Sequence, residues 1–271
     1  MAVRLGIDLN PGNDFPFKRV EASPGLAAIG AAKPNMIVLF VESLSADLVG
    51  IYHERWRSVT PHINRFAEEK GLTIDQYHNH VFPTIVGVRG QLCSNYPSIS
   101  HTVWDHAKFK LESGAMRCLP HVLNEQGYET TFLGYSQPNE TYFDDQMEEV
   151  GFARRYFYDE FLREFLPDES SPGLGLKGNS DEQMMRGLVG FLRTKETRSS
   201  PFFVAVSTLE THPGMDVSDE RYAFKGADSA VLNVVHNFDR SLGLFLDYFF
   251  ASPLAANTMQ NRLWPPKKNS K

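Results

Sequence analysis

Two uninterrupted apolar runs constrain the fold of this chain more tightly than any other feature of its sequence. Met36-Ile37-Val38-Leu39-Phe40-Val41 and Phe202-Phe203-Val204-Ala205-Val206 contain no polar position, and each leads into a polar cluster: Glu42-Ser43 after the first, residues 207–212 after the second. A strand with one wet face alternates apolar and polar side chains. A strand without alternation needs cover on both faces, which is the condition of a parallel sheet packed between helices.

The segments around these runs supply the helices. Thr60-Pro61 offers an N-cap with proline at the first helical position, and Ile63, Phe66 and Ala67 follow at helical spacing before Gly71. Residues 72–80 form a second strand-like stretch leading to Pro83-Thr84, and 85–93 predict a short helix. Another helix is expected at 119–126, closed by Gly127, then a short strand at 128–133 and a helix at 144–150 stopped by Gly151. A Pro/Gly/Ser-rich loop spans 167–178, and Ser180 with Gln183 forms a capping box opening a helix to about residue 194. Residues 230–250 repeat apolar side chains at helical spacing, with His236, Asp239 and Arg240 among them. This alternation predicts an α/β fold, a three-layer αβα sandwich around a mostly parallel sheet. Ligands in such sheets bind beyond the carboxyl ends of the strands, which puts Glu42 and the 208–212 cluster on one rim.

With 271 residues, 42% of them hydrophobic, the chain can bury one sizeable core, and the patterned region runs from 34 to 258. Residues 1–33 read as an irregular lead-in, and 259–271, with Pro265-Pro266 and Lys267-Lys268, as a frayed tail. A net charge of -6 gives no electrostatic basis for a nucleic-acid partner. No secretory signal pattern opens the chain, and no apolar stretch is long enough to cross a membrane.

Four side chains on or near the rim invite chemistry. Thr84, after Pro83 and before a Gly-containing apolar turn, is either a simple helix cap or a hydroxyl nucleophile beside a helix N-terminus that favours phosphate or sulfate. A threonine hydroxyl needs further activation, for which a bound divalent cation is the usual device. Glu42 at a strand end is either a metal ligand or a solvated loop carboxylate. His212 is either a partner for a substrate oxyanion or a metal, or a surface histidine. Arg89, five positions after Thr84, either pairs with an anionic substrate or forms a surface ion pair. Cys93 and Cys118 are either bridged, which would add about 3 kcal/mol for a loop of this length, or two buried thiols; redox compartment decides, and composition does not reveal it.

Taken in order, several segments resemble the sulfatase-like branch of the alkaline phosphatase superfamily, especially lipoteichoic acid synthases, phosphoglycerol transferases and phosphoethanolamine transferases. They are Pro34-Asn35-Met36-Ile37-Val38-Leu39-Phe40-Val41-Glu42-Ser43-Leu44, Thr60-Pro61-His62-Ile63-Asn64-Arg65-Phe66 and Phe82-Pro83-Thr84-Ile85-Val86-Gly87. Leu119-Pro120-His121-Val122-Leu123-Asn124-Glu125-Gln126-Gly127-Tyr128 and Phe203-Val204-Ala205-Val206-Ser207-Thr208-Leu209-Glu210-Thr211-His212-Pro213 complete the set. Cys93 is followed by Ser94-Asn95-Tyr96-Pro97-Ser98, without the Cys-x-Pro-x-Arg pattern that type I sulfatases convert to an aldehyde nucleophile.

The resemblance implies that Glu42 and Thr84 hold a divalent metal, Mn2+ above all, with Mg2+ or Zn2+ as alternatives. It makes Thr84 the nucleophile that carries the transferred group, and sets His212 near that group. It implies a phospholipid headgroup donor and a glycan or polymer acceptor at the extracytoplasmic face of the cell envelope, where a Cys93–Cys118 bridge is favoured. Membrane attachment would come only through segments that this chain does not carry. In the family, the helix matching 230–250 leads to a further strand ending in an Asp-His pair of the metal site. Residues 259–271 hold neither an apolar strand nor an Asp or His. The expectation is therefore a C-terminally truncated sulfatase-like catalytic domain with impaired transfer; the alternatives are an ester hydrolase of the same fold and an inactive binding remnant.

Overall fold

The computed structural model describes residues 33–74, 83–94, 117–136, 143–169, 178–217, 222–226 and 228–258. The expected lead-in up to residue 32, the expected tail at 259–271 and most of the strand-like stretch at 72–80 lie outside this set; residues 72–74 have no regular structure.

Among the described residues four strands form one sheet in the order β1-β4-β2-β3: β1 (Met36–Phe40), β2 (Glu129–Gly134), β3 (Arg154–Phe157) and β4 (Phe202–Ser207). All three pairings are parallel, with Leu39 opposite Val206, Leu133 opposite Val206 and Leu133 opposite Tyr156. The helices are α1 (Pro61–Glu69), α2 (Thr84–Cys93), α3 (Leu119–Glu125), α4 (Phe143–Glu149), α5 (Tyr158–Phe165), α6 (Asp181–Arg193) and α7 (Ala230–Ala251).

The lack of alternation in β4 is explained by what covers it. Phe202, Val204 and Val206 pack into one core with side chains of α5, α6 and α7, while Phe203 and Ala205 pack into a second core with those of α2, α3 and α4. Every residue of β4 is buried. This is the three-layer αβα sandwich, with helices on both faces of the sheet. β1, whose sequence is equally apolar, is only half-buried along its length because it stands at the edge of the described sheet.

The start of α6 follows the sequence closely: Gln183 N donates to Ser180 Oγ at 3.2 Å, and Ser180 N donates to Gln183 Oε1 at 3.0 Å. The start of α1 does not. Thr60 occupies the N-cap position, but its hydroxyl accepts from Gly50 N at 2.8 Å and makes no cap. The cap comes from α7, where Asp239 accepts from His62 N at 3.0 Å and from Ile63 N at 2.8 Å. β3 and α5 were not expected. Arg-Arg-Tyr-Phe reads poorly as a strand, and it forms one at the sheet edge, where Arg154 is exposed and Arg155 pairs with Asp144 of α4.

Candidate active site

The carboxyl ends of β1 and β4 meet the N-terminus of α2 in one cleft of about 630 Å3, a size suited to a small-molecule headgroup. Glu42, Thr84 and His212 all line it. Glu42 lies immediately beyond β1 and Thr84 opens α2, so a strand end and a helix start deliver the two side chains to the same point. Thr84 Oγ1 donates to Glu42 Oε2 at 2.5 Å, and Ser43 Oγ donates to Glu42 Oε1 at 2.9 Å. Ser43 has a φ of 49°, a left-handed conformation that a serine adopts at a cost and that turns the chain sharply at the strand end.

The loop after β4 grips the peptide of Glu42 from both sides. Glu42 N donates to Thr208 Oγ1 at 3.4 Å, and Thr211 Oγ1 donates to the Glu42 carbonyl. The same loop carries His212, whose exposed ring donates from Nδ1 to the Pro213 carbonyl at 2.9 Å. A carbonyl can only accept, so Nδ1 carries the hydrogen of this bond and Nε2 is the nitrogen left for substrate, an acceptor in the neutral ring and a donor to an oxyanion in the protonated one.

Behind the loop is a buried carboxylate pair. Asp181 and Glu210 are both fully buried, and neither lines the cleft. Burial pushes both carboxyl groups above the ordinary carboxylate range, and the Asp181 charge raises Glu210 further.

Arg89 is not brought to the cleft. The face of α2 that lines it is Thr84, Gly87, Val88 and Gln91. Five residues along a helix turn the side chain by roughly 140° from Thr84, and there the partly buried Arg89 feels the charge of Glu149, beside the end of α4. Gln91, which the sequence reading passed over, is an exposed amide at the cleft instead. Ser43, Thr208 and Thr211 were missed as well. Only the clustering of polar residues after β4 pointed toward the last two.

Hard oxygen donors such as the Glu42 carboxylate and the Thr84 hydroxyl suit a divalent cation. Among the described residues there is no group of three or more His, Cys, Asp or Glu side chains that could hold a metal. The pair therefore fits such an ion as part of a coordination shell, with other positions left to water, substrate oxygens or further residues.

Cys93 and Cys118 form a disulfide that ties the last residue of α2 to the residue before α3. It braces the helix whose first residue is Thr84.

Residues 34–259 match the family model for sulfatases. The chain belongs to the sulfatase family. Its fold also resembles solved structures. One is a protein in the alkaline phosphatase superfamily from Vibrio parahaemolyticus, at a TM-score of 0.70 and 21% identity over 84% of this chain and 53% of the other. A second is the lipoteichoic acid synthase LtaP from Listeria monocytogenes, at 0.69 and 20% identity over 84% and 55%. A third is the C-terminal periplasmic domain of EcEptC from Escherichia coli in complex with Zn, at 0.52 and 14% identity over 82% and 61%. This sulfatase-family chain thus spans somewhat more than half the length of the structures it matches. Comparison by sequence with curated proteins gives no match.

Proposed function

We propose that this sulfatase-family chain carries the phospho-group transfer site of an extracytoplasmic enzyme. In this reading, a phosphoglycerol or phosphoethanolamine headgroup passes from a phospholipid to Thr84 and then to a glycan or polymer hydroxyl. The observation that carries it is the Thr84 Oγ1–Glu42 Oε2 hydrogen bond in the cleft, at the N-terminus of α2. The Cys93–Cys118 bridge supports an oxidising compartment, and no helix of the described residues is long and apolar enough to cross a membrane.

The residues divide the work as follows. The bond to Glu42 points the Thr84 proton at a carboxylate and leaves the oxygen lone pairs for phosphorus. In the first transfer the Thr84 Oγ1–phosphorus bond forms as the phosphorus–diacylglycerol oxygen bond breaks; Thr84 loses its proton and the departing oxygen gains one. In the second, the acceptor hydroxyl loses its proton as its oxygen bonds phosphorus, and Thr84 Oγ1 leaves and regains one. The positive end of the α2 dipole favours the phosphoryl charge in both steps. His212 stands on the same cleft to bind an oxyanion or exchange a proton. A divalent metal, Mn2+ in this proposal, would be held by Glu42 and Thr84 and would supply charge neutralisation and a lowered hydroxyl pKa.

The test is incubation of the full chain with a labelled phospholipid and Mn2+, followed by mass spectrometry of the peptide containing Thr84. A headgroup adduct at Thr84 that a sugar acceptor discharges supports the transferase. Discharge to water alone, whatever acceptor is present, would make it a hydrolase of the same fold. No adduct, and a Thr84→Ala variant that turns over a nitrophenyl phosphodiester as fast as the parent, would reject the site.

A further inference from the structure

We infer that Asp181 and Glu210 act as a buried positioning clamp, fixing the loop at 208–212 and through it the peptide of Glu42 and the placement of His212. Two carboxylates buried side by side are expensive for a fold: each loses hydration, and neither has a cationic partner of its own at hydrogen-bond distance among the described residues. Asp181 Oδ2 and Glu210 Oε1 are buried without any hydrogen-bond partner there. Such violations of polar satisfaction collect where geometry serves function.

The other two oxygens show what the arrangement does. Asp181, the first residue of α6, accepts through Oδ1 from Leu209 N at 3.1 Å and from Glu210 N at 3.2 Å. Glu210 returns the contact through Oε2, accepting from Asp181 N at 2.6 Å and from Asn237 Nδ2, on α7, at 3.2 Å. Arg240 holds the Asn237 amide in that orientation by donating from Nε to Asn237 Oδ1 at 3.3 Å, while it pairs with Glu182. The loop after β4 is therefore pinned on its inner side to two helices. On its outer side Thr208 and Thr211 hold the two peptide groups of Glu42. Slack at the clamp would reach the cleft without either acid touching substrate, so Asp181 and Glu210 are positioning residues.

The turnover consequence rests on the transfer site proposed above; the structural consequence does not. The informative variant is Glu210→Met, which keeps the volume and relieves a buried charge but leaves Asp181 N and Asn237 Nδ2 without their acceptor. Hydrogen exchange on the full, metal-free chain should show the peptides containing Glu42 and Leu209 exchanging about tenfold faster, while β2 is unchanged. In Glu210→Gln and Asp181→Asn, which keep the acceptor oxygens, those peptides should exchange as in the parent. With a nitrophenyl phosphodiester and Mn2+, kcat should fall about tenfold in Glu210→Met at nearly constant KM and recover in Glu210→Gln. A folded Glu210→Met chain whose Glu42 peptide exchanges at the parent's rate overturns the clamp. If Glu210→Met does not fold, Asp181→Asn decides: the clamp requires parent-like protection at Glu42, and lost protection there rejects it. If the parent has no turnover at all, the transfer site fails and the exchange data still judge the clamp.

Discussion

Asp239, midway along α7, caps α1: its two carboxylate oxygens take the backbone hydrogens of His62 and Ile63 at 3.0 and 2.8 Å. The helix that begins with Pro61 thus starts on a side chain from 177 positions away. Its own N-cap, Thr60, spends its hydroxyl on Gly50 and Asn64. Burial raises the Asp239 carboxyl above its ordinary value, against the pull of the two backbone bonds.

Asp239→Ala is therefore expected to destabilise the domain by about 1–3 kcal/mol, because it removes two hydrogen bonds and leaves two part-buried donors without their acceptor. Thermal unfolding measures it. A shift in Tm no larger than that of an exposed control such as Asp247→Ala would show that α1 does not depend on this cap.

A second expectation concerns the one sequence candidate that the cleft does not receive. Arg89 lies off the cleft face of α2, so Arg89→Leu should leave the KM for an anionic phosphodiester within about twofold of the parent; loss of a direct contact to the anion would weaken binding roughly tenfold or more. Thr84→Ala in the same assay should abolish turnover. A large KM rise in Arg89→Leu, with the fold intact, would mean that the guanidinium reaches substrate after all.

Much of this architecture was legible in the sequence, and the reasons differ by element. β4 announced itself because burial on both faces removes polar residues from a strand, and α6 because its capping box is local chemistry between Ser180 and Gln183. The pairing of Glu42 with Thr84 was readable only through family resemblance, since 42 positions separate them and nothing local links a strand end to that helix start. β3 and α5 escaped because an edge strand tolerates arginines, and because eight residues of α5 give too short a period to stand out. For Arg89 the sequence left two readings, a substrate contact or an ion pair on the helix surface, because spacing along a helix does not by itself say which face meets the cleft; Thr84, Gly87, Val88 and Gln91 line it. The Asp181–Glu210 pair lay beyond sequence logic, because burial of two acids is decided by three separate elements coming together.

The Cys93–Cys118 bridge closes a loop of 25 positions and braces both ends of the α2 to α3 connection. Its removal by a Cys93→Ala/Cys118→Ala double variant should cost about 3 kcal/mol, read as a lower midpoint in urea. Because the bridge lies at the far end of α2 from Thr84, KM should change little at temperatures where the variant stays folded. An unchanged urea midpoint would show that the bridge adds nothing to the stability of the domain.

The buried acids also give the stability of the domain an unusual pH slope. Asp181 is raised from 3.8 to about 6 and Glu210 from 4.5 to about 7, both first by burial, with Glu182 opposing and Arg240 assisting ionisation of Glu210. The folded chain therefore holds more protons at this pair than the unfolded chain from about pH 4 to pH 7. Their contribution is fully present below the unfolded values and is lost as pH rises through the folded ones. Most domains gain from ionised carboxylates over this range; here the pair works in the opposite direction. An Asp181→Asn/Glu210→Gln chain, which cannot ionise at these positions, should gain on the parent by roughly 1–3 kcal/mol between pH 5 and pH 8. Urea unfolding of both chains across that range measures the difference directly. A gap between them that stays constant with pH would mean that the pair does not take up protons on folding, and that the two acids are buried as a fixed charge state.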